Sequence, residues 1–204
     1  MKYFFSLISI FVTLLVFGQK ITYYNFNSDS LNNAVLRKLN SFRTSYGVDT
    51  LVYSQVLHNQ ITKRNCEEVS ITNTLYHPNP SNIILNTNFK NDIGNESLMK
   101  IGGVLSIGSP SMKPRMDYSE NCFRANNDPN TPNWGFNTYD EIAEFTIYRW
   151  KNSPDHAEAQ LRDYSSQNLP GMFACHSIMT SDGMVYVFVN FVKLYRKSTP
   201  QVIH

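Results

Sequence analysis

Three side chains in this sequence have the types that metal or acid–base chemistry needs. They are His77 in Tyr76-His77-Pro78, Glu120 in Ser119-Glu120-Asn121, and His156 in Trp150-Lys151-Asn152-Ser153-Pro154-Asp155-His156. Two imidazoles with a carboxylate make a site for a divalent ion such as zinc, with His77 and His156 as ligands and positions left open. Glu120 would then serve in one of two ways. It is a base toward an ion-activated water, or it accepts an N–H from one ring and fixes its tautomer. His156 falls at the third position of a helix opened by Ser153-Pro154, and the positive end of that helix disfavours the imidazolium form. Asn121 reads as a residue that holds a loop by its amide, and Glu144 as a second carboxylate free to face the same cleft.

The other reactive residues admit more than one reading. Cys66, Cys122 and Cys175 are an odd set. Either two of them pair, with Cys66–Cys122 the favoured couple, or all three are buried free thiols that act as small hydrophobes. As a nucleophile Cys122 lacks a helix N-terminus or a cationic cluster to lower its pKa. His58 and His176 belong to no motif and read as helix surface and strand. There is no phosphate-binding glycine loop and no His-Glu-x-x-His pair, so the sequence offers no hydrolase motif.

Elements able to position these residues follow from periodicity. Leu31, Val35, Leu39, Phe42 and Tyr46 fall on one helical face, capped by Asp29 or Ser30 and ended by Gly47. A second helix starts at Ser54 and runs to about Val69, with Leu57 and Ile61 inward. Thr138-Tyr139-Asp140-Glu141 is a capping box ahead of a helix that buries Ala143, Ile147 and Trp150. Met172 to Met179 and Met184 to Leu194 read as strands around the turn Ser181-Asp182-Gly183. Residues 78–114 lose periodicity and read as a long irregular excursion with a short strand near Val104 to Ile107, and Asn126 to Asn137 as a loop. Helices first and a β-hairpin last imply an α+β sandwich.

Composition bounds the class. The chain has 204 residues and a net charge of +2, from 18 basic against 16 acidic side chains. That balance provides no nucleic-acid surface, which needs concentrated Lys and Arg. Neutral amides are abundant instead, with 23 asparagines. Lys2 followed by the apolar run Phe4 to Phe17 and Gly18-Gln19 reads as a signal peptide over residues 1–19. The run is shorter than the roughly 20 residues of a membrane span, and no other segment approaches that length. The expected protein is therefore secreted or extracytoplasmic. Asn95-Glu96-Ser97 fits a glycosylation acceptor.

The order of the motifs resembles the CAP superfamily of cysteine-rich secretory, antigen 5 and pathogenesis-related 1 proteins, in its bacterial SCP-domain form. The helix Leu39-Asn40-Ser41-Phe42-Arg43 with Gly47 and Leu51 is similar to the family's opening helix. Tyr76-His77 stands at its first cleft histidine, Ser119-Glu120-Asn121 at its Gly-Glu-Asn signature, Trp150 to His156 at its Trp-x-x-Ser-Pro-x-His segment, and Tyr186 to Phe191 at its closing strand. The resemblance implies one domain over residues 31–195, a three-layer α-β-α sandwich with a central, mainly antiparallel sheet. Residues 20–30 would be a linker, 78–118 a long insertion and 196–204 a tail. It implies a cleft of His77, Glu120, Asn121, Glu144 and His156 and, as the leading function, non-enzymatic binding of a lipid, peptide, protein partner or divalent ion. The alternatives are a metal-dependent hydrolase or peptidase with Glu120 as catalytic base, and a surface module recognising partners through the insertion. Ser119 in place of glycine, Ser153 in place of a second glutamate and the long gap from His77 to Glu120 depart from the family pattern.

Overall fold

The computed structural model describes residues 20–100, 115–126, 135–165 and 169–195. The expected signal peptide, the strand expected near Val104 to Ile107, most of the expected loop after Asn126 and the expected tail from 196 lie outside them. After a 3-10 turn at Tyr23–Asn25, helix α1 spans Ser28–Ser45. Its N-cap is Asn27, whose side chain accepts from the Ser30 amide at 2.8 Å, two to three residues before the cap expected at Asp29 or Ser30. Gly47 follows the C-cap with φ 71°, the left-handed conformation that glycine adopts without cost. Strand β1, Val52–Tyr53, leads into a continuous helical run.

That run is three pieces rather than the single helix expected. Helix α2 (Gln55–Leu57) passes into a π-turn (His58–Thr62) and then helix α3 (Lys63–Thr72). The Ser54 hydroxyl caps it by accepting from Leu57 N–H at 3.0 Å. The Glu96 carboxylate also accepts from Ser54 Oγ and, at 2.7 Å, from Gln55 N–H, so a negative charge sits at the positive helix end.

Glu96 belongs to a helix where an irregular excursion was expected. Residues Ser81–Ile84 form α4 and Thr87–Lys100 form α5. Apolar residues at every fourth position, Phe89 and Ile93 with the small Ser97, are the fully buried side of α5. The pattern is sparse because polar residues and a glycine fill most of the rest of the helix. Ser97, the hydroxyl of the possible glycosylation tripeptide, is inside, so that tripeptide is part of a packed helix.

Strand β2 (Arg115–Asn126) begins inside the presumed 78–118 insertion. Helices α6 (Tyr139–Lys151) and α7 (Pro154–Leu161) and strands β3 (Met172–Met179) and β4 (Met184–Tyr195) complete the chain. The Thr138–Glu141 capping box forms as expected. The sheet has the order β1-β3-β4-β2, antiparallel except for the parallel β1–β3 pair. Side chains alternate across it. Val185, Val187, Val189 and Phe191 pack on α1 and α6, whereas Val192 and Leu194 meet the π-turn and α5, and Tyr186 and Phe188 meet α3. Helices therefore cover both faces, giving the α+β sandwich that the residue pattern implied, in the three layers that the resemblance implied.

A buried guanidinium ties α1 to the rest. Arg43, fully buried, donates from Nε to the Asp49 carbonyl at 2.8 Å and from Nη1 to the Gln160 and Arg162 carbonyls, and it lies over the Tyr164 ring. Asn40 adds a reciprocal pair, accepting from Leu51 N–H at 2.8 Å and donating to its carbonyl at 3.1 Å. The carbonyls at 160 and 162 close α7, so this cation sets the far end of the helix that carries His156. Arg43→Lys keeps the charge but loses the forked reach to three carbonyls, and urea unfolding should show a loss of about 2 kcal/mol. Breaking the exposed Arg37–Asp140 pair by Arg37→Ala should change stability by less than about 0.5 kcal/mol.

Candidate functional site

The geometry of the cleft is set by one buried carboxylate. The Glu120 side chain is 5% exposed and accepts four hydrogen bonds. Its Oε2 receives Asn65 Nδ2 at 2.6 Å, Asn190 Nδ2 at 2.8 Å and the Tyr118 hydroxyl at 3.0 Å; its Oε1 faces His77 Nδ1 at 2.9 Å. Strand register places two of these donors. Asn190 stands directly across from Glu120 in the β2–β4 ladder, Tyr118 is two residues along the same strand face, and Asn65 comes down from α3. Burial and the Glu120 charge push the Tyr118 phenol well up, so it stays a donor. Asn65, Tyr118 and Asn190 carried no motif in the sequence; strand alternation and the ladder register are the signals that place them.

His77 reaches the carboxylate because the chain after α3 is pinned. Asn73 ends α3 in the left-handed conformation and is held by Arg124 Nη1 on its carbonyl at 2.7 Å and by the Tyr186 hydroxyl on its Oδ1 at 2.6 Å. The Cys122 sulfur lies 3.6 Å from His77 Nε2. The sulfur and the Glu120 carboxylate, in that order, raise the His77 pKa to about 10. His156 is shifted the other way, lowered by burial and by His77 against the opposing pull of Asp155. Its Nδ1 pairs with Ser153 Oγ at 2.9 Å, so the Ser153 hydroxyl serves the ring rather than the helix N–H groups it was expected to cap. The His77 and His156 ring centres are 6.1 Å apart.

The residues expected together therefore divide. His77, Glu120 and His156 converge. Asn121 sits behind them, donating to the His156 carbonyl at 3.0 Å and fixing the first turn of α7 on β2. Glu144 does not join them. It is exposed on α6 and pairs with Lys38 of α1 at 2.9 Å, because the cleft-side face of α6 belongs to Trp150. The expected Cys66–Cys122 bond is not formed: all three cysteines are free and buried, the other of the two readings. Cys66 and Cys122 share one apolar cluster, and Cys175 lies on the opposite face of the sheet.

Cys122, and not Glu144, joins His77 and His156 as a third group able to ligate a metal. One ligand atom each from His77, Cys122 and His156 lie within 4.8 Å of one another. Ligands of a tetrahedral zinc lie roughly 3.6 Å apart, given bond lengths near 2.0–2.3 Å, so small side-chain rotations close the set. Glu120 fits the carboxylate–histidine arrangement that orients a ligating ring.

A second histidine pair lies apart from this site. His58 on the π-turn and His176 on β3 meet at 3.1 Å, Nε2 to Nδ1. Burial, then His58 and Lys63, lowers the His176 pKa to about 4 from 6.5. The unfolded chain takes up this proton first, so the stability contributed is full above pH 6.5 and is lost as pH falls through 4. His176→Gln should flatten the acid limb of a urea-midpoint titration between pH 7 and 4 relative to the unaltered protein. At the main site, Asn190→Ala removes a donor from the buried carboxylate and should cost about 2 kcal/mol by the same unfolding measurement.

No protein-family model and no curated protein matches the chain. Among solved structures it is similar to an outer surface protein of Borrelia burgdorferi, at 14% identity and a TM-score of 0.45, covering 88% of this chain and 99% of that one. It is also similar to a cysteine-rich secretory protein of Staphylococcus aureus, at 13% identity and a TM-score of 0.43 over 83% of this chain. An extracellular protein containing an SCP domain from Bacillus anthracis matches at 12% identity, with a TM-score of 0.43 over 81% of this chain. The chain spans 40% and 41% of the length of the latter two.

Proposed function

We propose that this chain is an exported CAP-type binding protein whose cleft holds a divalent transition metal such as zinc through His77, Cys122 and His156. The observation that carries the reading is the convergence of those three ligand atoms with Glu120 behind His77. Two imidazoles and one thiolate suit zinc, and copper by the same softness argument. Bound there, the ion would supply Lewis acidity at its remaining open positions. No helix among the described residues is long and apolar enough to cross a membrane.

The two alternatives weaken on specific contacts. Glu120 as the base of a hydrolase needs a carboxylate with lone pairs to spare, and this one is enclosed by four donors. Recognition through residues 78–118 needs a segment with little other work, yet Phe89 and Ile93 pack with Leu57 and Ile61 in the core. A positioning role for Glu120 and a structural role for α5 account for these contacts better.

Calorimetric titration with zinc tests the site. His77→Ala plus His156→Ala should abolish binding, and undiminished affinity in that double variant would overturn the reading. Glu120→Gln should weaken binding about 10- to 100-fold through loss of ring orientation. Cobalt substitution should give a sulfur-to-metal charge-transfer absorption that Cys122→Ser removes.

A further inference from the structure

A pocket of about 300 Å³ opens beside the cluster, with Cys122 and His156 on one side of it. That size is at the lower end of the range for small-molecule sites. Its apolar wall is formed by aromatic side chains and one leucine, and the aromatic part is fixed. Phe123 and Phe145 meet edge to face with centres 5.9 Å apart, and the Trp150 indole is locked by its N–H on the Cys122 carbonyl at 2.8 Å. Leu75 contributes from the chain after α3.

Among the described residues, the charged side chains that line this pocket are Arg124 and Arg149, and no Asp or Glu lines it. Arg124 is anchored through Asn73 and lies within Coulombic range of Asp182. Arg149, in the last turn of α6, is exposed and has no ion-pair partner among the described residues. Rigid aromatic walls beside two guanidinium groups match a ligand with an apolar body and an anionic head. Guanidinium binds carboxylate and phosphate alike through paired N–H groups.

We propose that this pocket binds a compact organic anion, its carboxylate or phosphate at Arg124 and Arg149 and its aromatic body against Phe123, Phe145 and Trp150. The assignment stands on the arginines and the aromatic walls and does not rest on a metal at the neighbouring cluster.

Calorimetry of the full mature chain with 3-phenylpropionate, phenyl phosphate and the neutral 3-phenylpropanol tests it, each titrated with and without EDTA. At least one anion should bind, with the tighter one naming the head group, and the neutral alcohol should bind at least about ten-fold more weakly. Arg149→Gln should lower anion affinity by a similar factor, with Arg149→Lys intermediate. Equal binding of the alcohol, unchanged affinity in Arg149→Gln, or no binding by either anion would overturn the proposal. Binding abolished by EDTA would also overturn it, since the head group would then sit on an ion and not on the arginines. Zinc affinity measured separately decides the metal reading, so the two fail independently.

Discussion

A carboxylate removed from water must be given its hydrogen bonds back, and in this protein that requirement falls on Glu120. Its oxygens draw Asn65 from one helical layer, Tyr118 and Asn190 from two paired strands, and His77 from the chain after α3. Each donor would be free to face solvent or a different partner if the charge were elsewhere. Leaving any of them out would strand part of a buried charge, at a cost of kilocalories per mole. The arrangement of the cleft is thus a by-product of satisfying one anion, and the orientation of the His77 ring comes with it.

The rest of the molecule supplies the walls within which that anion can be met. Residues of β4 alternate between an apolar cluster on one face and two on the other, so the sheet is enclosed by helices on both sides and its register is strongly specified. A slip of one residue would move Asn190 away from Glu120 and turn Val189 toward the wrong face. Arg43 performs the matching task at the far end of α7, where it meets carbonyls that the helix cannot satisfy itself. Between Asn121 at its first turn and Arg43 at its last, α7 is fixed at both ends, and so is His156.

Legibility in the sequence followed the range of each interaction. The Thr138–Glu141 capping box and the left-handed Gly47 are decided within a few residues and were readable as such. The convergence of His77, Glu120 and His156 was readable only from motif order, since no local signal links residues so far apart. Asn65 and Asn190 were hidden among 23 asparagines, and nothing in their neighbours marks them as donors to a buried anion. Cys122 was visible as a thiol but not as a neighbour of His77, which depends on how the chain leaves α3 at Asn73. Glu144 misled because its helix has two polar directions, and the one it occupies is matched by Lys38 on α1. Helix α5 escaped notice because a stripe only one residue wide gives a weak periodic signal.

Strand β2 lies at the end of the sheet order, with β4 as its sole paired neighbour among the described residues. A twelve-residue edge of that kind is ordinarily a template for pairing with another chain. Here the Trp150 indole takes up the Cys122 carbonyl, Ser119 is engaged by the Tyr164 hydroxyl, and the Asn121 amide is tied to α7. These contacts from the α6–α7 side lie along β2, and the one to the Cys122 carbonyl occupies a backbone group of that edge. Changes that loosen the α6–α7 corner carry a second penalty, aggregation, alongside any loss of binding.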